Sequence, residues 1–388
     1  MDGHPLVHAV LQILGWLLIA TILIDVFLAV LYARVGTGII SHHLACRVWL
    51  IFRTASRPLK RRRDVILSLC GPVILVSVVT VWVIGLVLGS ALVIWPMLGS
   101  SIRALSGPSS TDFCTALQVA AGYLSTCGSN EYAARNTAAK LLLSFESFIG
   151  ISVLTLTLTY ILEIYNALQR RNTFSLKLHL LTAETGDAAE FIAGLGPEDR
   201  FRTGYVHLTE VGAEMVAFTE SHHFYSALFY FRFLNPHYDV ARVALVALDS
   251  VTLIKSALDD DEYGWLKKSA AVEQVWRGSM QLMTILAPQF LPQRFPYSNG
   301  EIDEETRADW TRRYHTAMRR LREAGAKTFT DQDAGAEIYI ALRMRWDRYI
   351  KAFAEHMAAE LVNIDRALYA PSAMEQAPPF EQRLRIVS

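Results

Sequence analysis

Residues 123–131 read YLSTCGSNE, a short polar run set between two long apolar stretches. Connectors between membrane spans are often polar and mean nothing more. A loop that enters the bilayer, by contrast, must be buried in protein or line water, because hydrocarbon leaves no partner for its backbone groups. Which of the two this run is decides the fold. Just upstream, GPSSTDFCTALQVAAGYL (107–124) carries a helix start signal. Pro108 and the Ser109–Asp112 cluster supply an N-cap, and FCTALQVAAGYL follows with helical apolar spacing. The predicted helix has about three turns, too few to span. A helix that ends inside a bilayer points its negative dipole end inward, which favours a cation.

Working outward, three stretches reach the length of about 20 mostly apolar residues that a span requires. They are Leu6 to Tyr32, Val65 to Leu98, and Thr137 to about Leu168. The second is longer than a bilayer core needs, and Pro72 and Pro96 are natural places for its ends. The segment 34–64 holds eight Lys/Arg and one acid, and Arg170–Arg171 follow the third span. By the positive-inside rule both belong in the cytoplasm. The N-terminus and the 99–136 loop are then expected outside, in an inner or plasma membrane. The N-terminal apolar run lacks a basic n-region and is too long for a signal peptide, so it is expected to be a retained span.

The formal net charge is zero, yet residues 1–171 carry 13 Lys/Arg against 7 Asp/Glu, while the remainder carries 24 against 30. Cys46, Cys70, Cys114 and Cys127 form no C-x-x-C pair and have no His-rich company, so a zinc site is not expected. A helix between Cys114 and Cys127 would hold them too far apart to bridge, and free thiols are expected.

Span, half-helix, polar strand and span together resemble the pore module of the potassium-channel superfamily. DVFLAVLYARVGTGII (25–40) and GPVILVSVVTVWVIGLVLGSALVIWP (71–96) resemble a group of bacterial ion-channel-like proteins with an extra N-terminal span. The likeness covers roughly residues 15–170. In that family the filter reads Thr-Val-Gly-Tyr-Gly and then Asp, with carbonyls that replace an ion's hydration shell. The resemblance puts Thr126 at the Thr position, Cys127 at the Val, Gly128 at the first Gly, Ser129 at the aromatic, Asn130 at the second Gly and Glu131 at the Asp. Ser125 precedes them as part of the filter. It implies four chains around one axis, a ring of Glu131 at the outer mouth with Arg135 able to neutralise it, and potassium and sodium as permeant ions. Preference for potassium is expected to be weak at most, because Ser129 cannot pack as an aromatic does. No cofactor or metal is implied.

Along the third span, Ser152, Thr155, Thr159, Glu163 and Asn166 recur at steps of three and four, hence on one helix face. They are expected to line a water-filled cavity, Glu163 near its cytoplasmic mouth; the alternative is hydroxyls bonded back to their own helix. Gly150 is a candidate hinge or a close-packing position. Glu146 and Lys140 are read as an outer pair or as residues reaching the interface. Asp25, an acid within the first span, is expected to pair with a basic residue such as Arg34 or one in 47–63. Arg57–Arg63 are expected to meet anionic lipids. Nucleic acid is not an expected partner, since no binding motif accompanies the basic run.

Residues 172–388 read as helical over about 204–233, 238–257, 262–287, 303–324 and 333–369. They contain no Gly-rich nucleotide fingerprint, Walker loop or calcium loop, so an unknown regulator is the expected partner. Asp259–Glu262 read as a solvated helix start, and His222–His223 as packed or surface residues. The expected architecture is an all-α membrane protein with three transmembrane helices, a re-entrant pore helix and filter loop, and a helical cytoplasmic domain. Its parts are 1–64, a pore module 65–171 with loop 109–135, 172–370, and a loose tail 371–388. The expected function is a homotetrameric cation channel, not an enzyme; the alternative is a non-conducting pore-like scaffold or sensor.

Overall fold

The computed structural model describes residues 5–32, 38–59, 62–129, 131–292, 295 and 302–370. In chain order its first half holds α1 (Pro5–Val26), α2 (Ile39–Ser56), α3 (Arg63–Ser68), α4 (Cys70–Ile94), β1 (Ile102–Ala104), α5 (Phe113–Leu124), β2 (Tyr132–Ala134) and α6 (Thr137–Leu181). The second half holds α7 (Ala188–Ala193), α8 (Gly204–Phe224), α9 (Val240–Ala257), α10 (Asp260–Lys267), α11 (Ala270–Phe290), α12 (Glu304–Glu323), α13 (Gln332–Arg343), α14 (Asp347–His356), α15 (Leu361–Ile364) and α16 (Arg366–Tyr369). The chain divides into two compact units, 1–54 with 70–166 and 55–69 with 167–388.

Leu6–Leu31, Arg63–Met97 and Thr137–Leu181 are long and apolar enough to cross a membrane, as the three apolar stretches imply. The second is rich in Val and Ile, weak helix formers in water. In hydrocarbon the helix is nonetheless the form that satisfies every backbone group within one segment. Its prolines act at its ends. The helix breaks at Leu69, Pro72 falls in the first turn of α4 where a missing N–H is harmless, and Pro96 lies in the 3-10 turn Trp95–Met97 that closes it.

Within the first unit, α1 and α4 approach through small residues. A Cβ on Gly15 would lie 2.6 Å from the Gly89 carbonyl oxygen, and one on Gly85 would lie 2.6 Å from the Ile22 side chain. Such backbone approaches characterise helix pairs in lipid, where dispersion contacts replace the hydrophobic effect. Large apolar side chains such as Leu17, Val76, Phe148 and Leu162 stay exposed on the chain, a surface that suits lipid or further copies.

In the second unit α9 is central: every residue of it except Lys255 is buried. Side chains of Asp187, Asp239, Asp259, Ser269, Asp303 and Asp331 cap the helices that follow them. Asp259, accepting from the Glu262 N–H, is thus a helix start. The helix expected over 204–233 stops at Phe224. Arg171 takes the Leu228 and Phe231 carbonyls (2.6 and 2.8 Å), so these acceptors serve a guanidinium instead of a continuing helix. The stretch 262–287 divides at Ser269, whose hydroxyl caps α11.

A buried charged network crosses this unit. Arg313 binds both Asp187 and Asp249 (3.0 Å to Asp249), Tyr339 donates to Asp249 (2.7 Å), and Arg343 reaches Tyr339 (2.8 Å), Asp347 (3.0 Å) and Asp365. Burial would push the Arg343 guanidinium down, but Tyr339, Asp365, Asp347 and Asp249 around it more than offset that and hold it well above its ordinary value.

Candidate functional site

The segment between α4 and α6 is held at three places. At its entry, the Asp112 carboxylate accepts the Thr115 N–H (3.1 Å) and the hydroxyls of Thr115 and Ser110. These bonds, the Thr115 hydroxyl first, hold the Asp112 carboxyl below the usual carboxylate range. At its base, β1 and β2 pair antiparallel with Arg103 opposite Ala133, and the Leu105 N–H donates to the Glu131 carbonyl (2.8 Å). The buried Tyr132 hydroxyl bridges to the Ser110 backbone, accepting from its N–H at 3.0 Å. Along its length, Ala116, Val119 and Ala120, spaced for one helix face, bury against Ala91, Ile94, Ala139 and Leu143.

Neither the hairpin nor the aromatic clamp was read from the sequence. The short helix carries no Trp of its own, but Trp95, from the end of the preceding span-length helix, stands over it. Its ring meets Phe113 at 5.2 Å, and its indole N–H donates to the Thr111 carbonyl (3.0 Å).

After Leu124 the chain turns back on the helix. The Thr126 N–H donates to the Tyr123 carbonyl (3.0 Å), and the Ser125 hydroxyl and Gly128 N–H both donate to the Gly122 carbonyl (3.0 Å each). Thr126 and Gly128 have φ of +64° and +72°, the left-handed region that glycine adopts freely and a β-branched residue rarely does. Gly122 is needed for this return, because a Cβ there would meet the Gly128 oxygen at 2.5 Å. Cys127 is exposed, and the Ser129 hydroxyl accepts the Tyr132 N–H (3.0 Å). Asn130 lies outside the described residues, as do Arg34, Lys60 and Arg61. Arg57 and Arg62 are exposed.

Gly150 seats α6 on this end. A Cβ there would lie 1.8 Å from the Leu124 carbonyl oxygen. The α6 helix is unbroken through this position. Glu131 is exposed, and Arg135 turns to the Ala104 carbonyl (3.2 Å). Thr155 and Thr159 are exposed, with hydroxyls bonded back to Ile151 and Thr155 (2.9 and 3.0 Å); Ser152 and Glu163 are half-buried. The back-bonding accompanies exposure, so the face is both self-satisfied and open to a facing solvent or subunit.

Two acids of the first unit are fully buried. Glu146 is fully buried, with Ser90 as a polar neighbour, and makes no ion pair with Lys140 among the described residues. Its burial, one turn before Gly150, is not that of a side chain reaching out to the interface. Asp25 is also fully buried, and its described partners are neutral donors: the Trp82 indole (2.8 Å) and the N–H groups of Ile40 and Ser41 at the start of α2 (2.8 and 3.4 Å). A helix N-terminus and an indole thus serve it among the described residues; Arg34, a basic partner expected for it, lies outside them.

Among the described residues no group of three or more His, Cys, Asp or Glu is placed to hold a metal ion. No protein-family model, curated protein or solved structure gives a significant match to the chain.

Proposed function

We propose that the chain forms a homotetrameric, passive cation channel whose pore is built from the segment 125–130, with at most a weak preference for potassium over sodium. One observation carries this reading: a capped helix too short to span lies between two span-length helices and ends in a backbone with φ positive at Thr126 and Gly128 and negative between them. Where φ alternates in sign along a strand, successive carbonyls turn toward the same side, the arrangement a cation filter needs. One such segment per chain cannot surround an axis, so the reading requires several copies. Glu131 then rings the outer mouth, and Ser152, Thr155, Thr159 and Glu163 line the inner cavity. The N-terminus lies outside a cell membrane, Arg57–Arg63 meet anionic lipid on its inner face, and the second unit is cytoplasmic.

A second reading, a non-conducting scaffold, draws on the Gly128 carbonyl, which rests against Gly122 instead of facing away from the helix. Ion flux through liposomes holding the full-length protein separates the two, with potassium, sodium and chloride gradients compared. Gly128→Val strains the φ of +72° without a clash, since nothing lies within 4 Å of the new Cβ. Cation flux in the wild type, lost in Gly128→Val with the oligomer intact, supports the channel. Absence of flux for every ion across a range of voltages sinks it.

A further inference from the structure

Cys46 faces a base. His42 and Cys46 stand four residues apart in α2, so their side chains share one face of the helix, and His42 Nε2 lies 3.8 Å from Cys46 Sγ. A nucleophile within hydrogen-bond reach of an imidazole is the arrangement that activates a thiol. Both residues are half-buried, which shields the contact from bulk water while leaving it open to a small molecule. The hydrogen bond to Cys46 raises the His42 imidazole above its ordinary value; burial opposes this, and the charge of Cys46 adds to the rise. Around the pair, His43 turns its Nδ1 to the Ile39 carbonyl (2.7 Å), Arg47 is exposed on α2, and Asp25 of α1 accepts the Ile40 and Ser41 N–H groups just before His42.

The other three thiols are placed differently. Cys70 is fully buried, and Cys114 is exposed. Cys127, also exposed, donates to the Ser125 carbonyl (3.8 Å), a contact that only the protonated thiol makes. An imidazole can instead take the proton and hold the thiolate beside its own positive charge, as nearby cations do for reactive cysteines.

We propose that His42 and Cys46 form an imidazolium–thiolate pair and that Cys46 is a site of mixed-disulfide formation with small disulfides. The thiolate attacks one sulfur of the disulfide, the new S–S bond forms as the old one breaks, and the departing thiolate takes the proton from His42 Nε2. The pair is separate from the proposed pore, and its test requires no ion flux. The full-length protein in detergent is treated with bis(2-hydroxyethyl) disulfide, a neutral probe, between pH 6 and pH 9. Mixed disulfide at each cysteine is followed in time by peptide mass spectrometry. A thiol at the reference value of about 8.5 loses thiolate about 200-fold between pH 9 and pH 6. The Cys46 rate should fall less than about tenfold over that range. In His42→Gln, which keeps a polar side chain but cannot take up the proton, the fall should steepen to that of the reference thiol. Comparing Cys46 with itself across pH removes differences in access. Should His42→Gln fail to fold, the wild-type profile alone decides. No reaction of Cys46 at any pH, a wild-type fall as steep as the reference, or a His42→Gln profile as flat as the wild type overturns the proposal.

Discussion

Replacing Gly150 with Ala puts a methyl carbon 1.8 Å from the Leu124 oxygen, 2.7 Å from its carbonyl carbon and 2.9 Å from its Cα. All three are backbone atoms, so no rotamer relieves the overlap. Ordinary contact begins near 3.4 Å, and α6 must therefore move off the end of α5 by more than an ångström. Forced repacking of this kind costs about 1–3 kcal/mol, occasionally more. At roughly 2–4 °C per kcal/mol, thermal unfolding of the full-length protein in detergent should fall by several degrees. Gly264→Ala is the matched control. It is also a mid-helix glycine, but nothing lies within 4 Å of its Cβ. There the loss of unfolded-state freedom should raise stability by about 0.4–1 kcal/mol. The two variants differ in sign although the chemistry is identical. If Gly150→Ala unfolds at or above the wild-type temperature, the close approach is not what glycine serves there, and a hinge that alters only opening becomes the better account.

Trp82→Phe removes the indole donor to Asp25 and leaves a buried carboxylate short of one bond; the loss should be about 1.5–3 kcal/mol, read as a lower unfolding temperature that Asp25→Asn partly restores. Arg313→Met strips Asp187 and Asp249 of their shared cation and should destabilise the second unit by about 3–5 kcal/mol, whereas a triple change of all three to apolar residues should cost far less. His222 is fully buried, and its pKa is pushed down to about 3 by burial first and by Arg171 second. Its unfolded value is about 6.5, so below that pH the unfolded chain takes up a proton that the folded one refuses. Stability should therefore fall as pH drops from about 6.5 toward 3, by about 2 kcal/mol at pH 5. His222→Gln should flatten that part of a pH-dependent urea titration.

The span-length helices were legible because length and hydropathy are properties of a contiguous stretch. The Asp112 cap was legible for a similar reason: the cap and the helix it starts are neighbours in sequence. What escaped depends on residues far apart. Nothing in the text of 25 and 82 says that an indole will meet a carboxylate across two helices. The expectation for Asp25 named a basic residue on the general ground that buried acids have one, and it left the indole out. Glu146 was read with Lys140 at the outer end or at the interface from its place along the span alone, and its burial beside Ser90 of another helix has no local signal. The hairpin at 102–104 and 132–134 is three residues a side, below the length at which alternation can be recognised. The helix expected through 225–233 failed because a single arginine, Arg171, competes for its carbonyls, and competition from a distant side chain leaves no local signature.

Three glycines make the candidate site a single mechanical object. Gly122 lets the Gly128 carbonyl return onto the helix, and Gly150 lets α6 rest on the last carbonyl of that helix. Leu124 is both the residue α6 touches and the last helical residue before the segment 125–129. Any displacement of α6 at Gly150 is thus delivered to the first residue of that segment through a backbone contact, with no soft side chain between. Close-packed contacts of this kind switch between arrangements instead of yielding gradually. A channel built this way would have its filter coupled to its inner helix at one turn, so substitutions at 122 and 150 should be strongly non-additive. A double-mutant cycle on unfolding temperature and on flux measures that coupling. Simple additivity within about 0.5 kcal/mol would show that the two contacts act independently and that the site is a loop merely leaning on a helix.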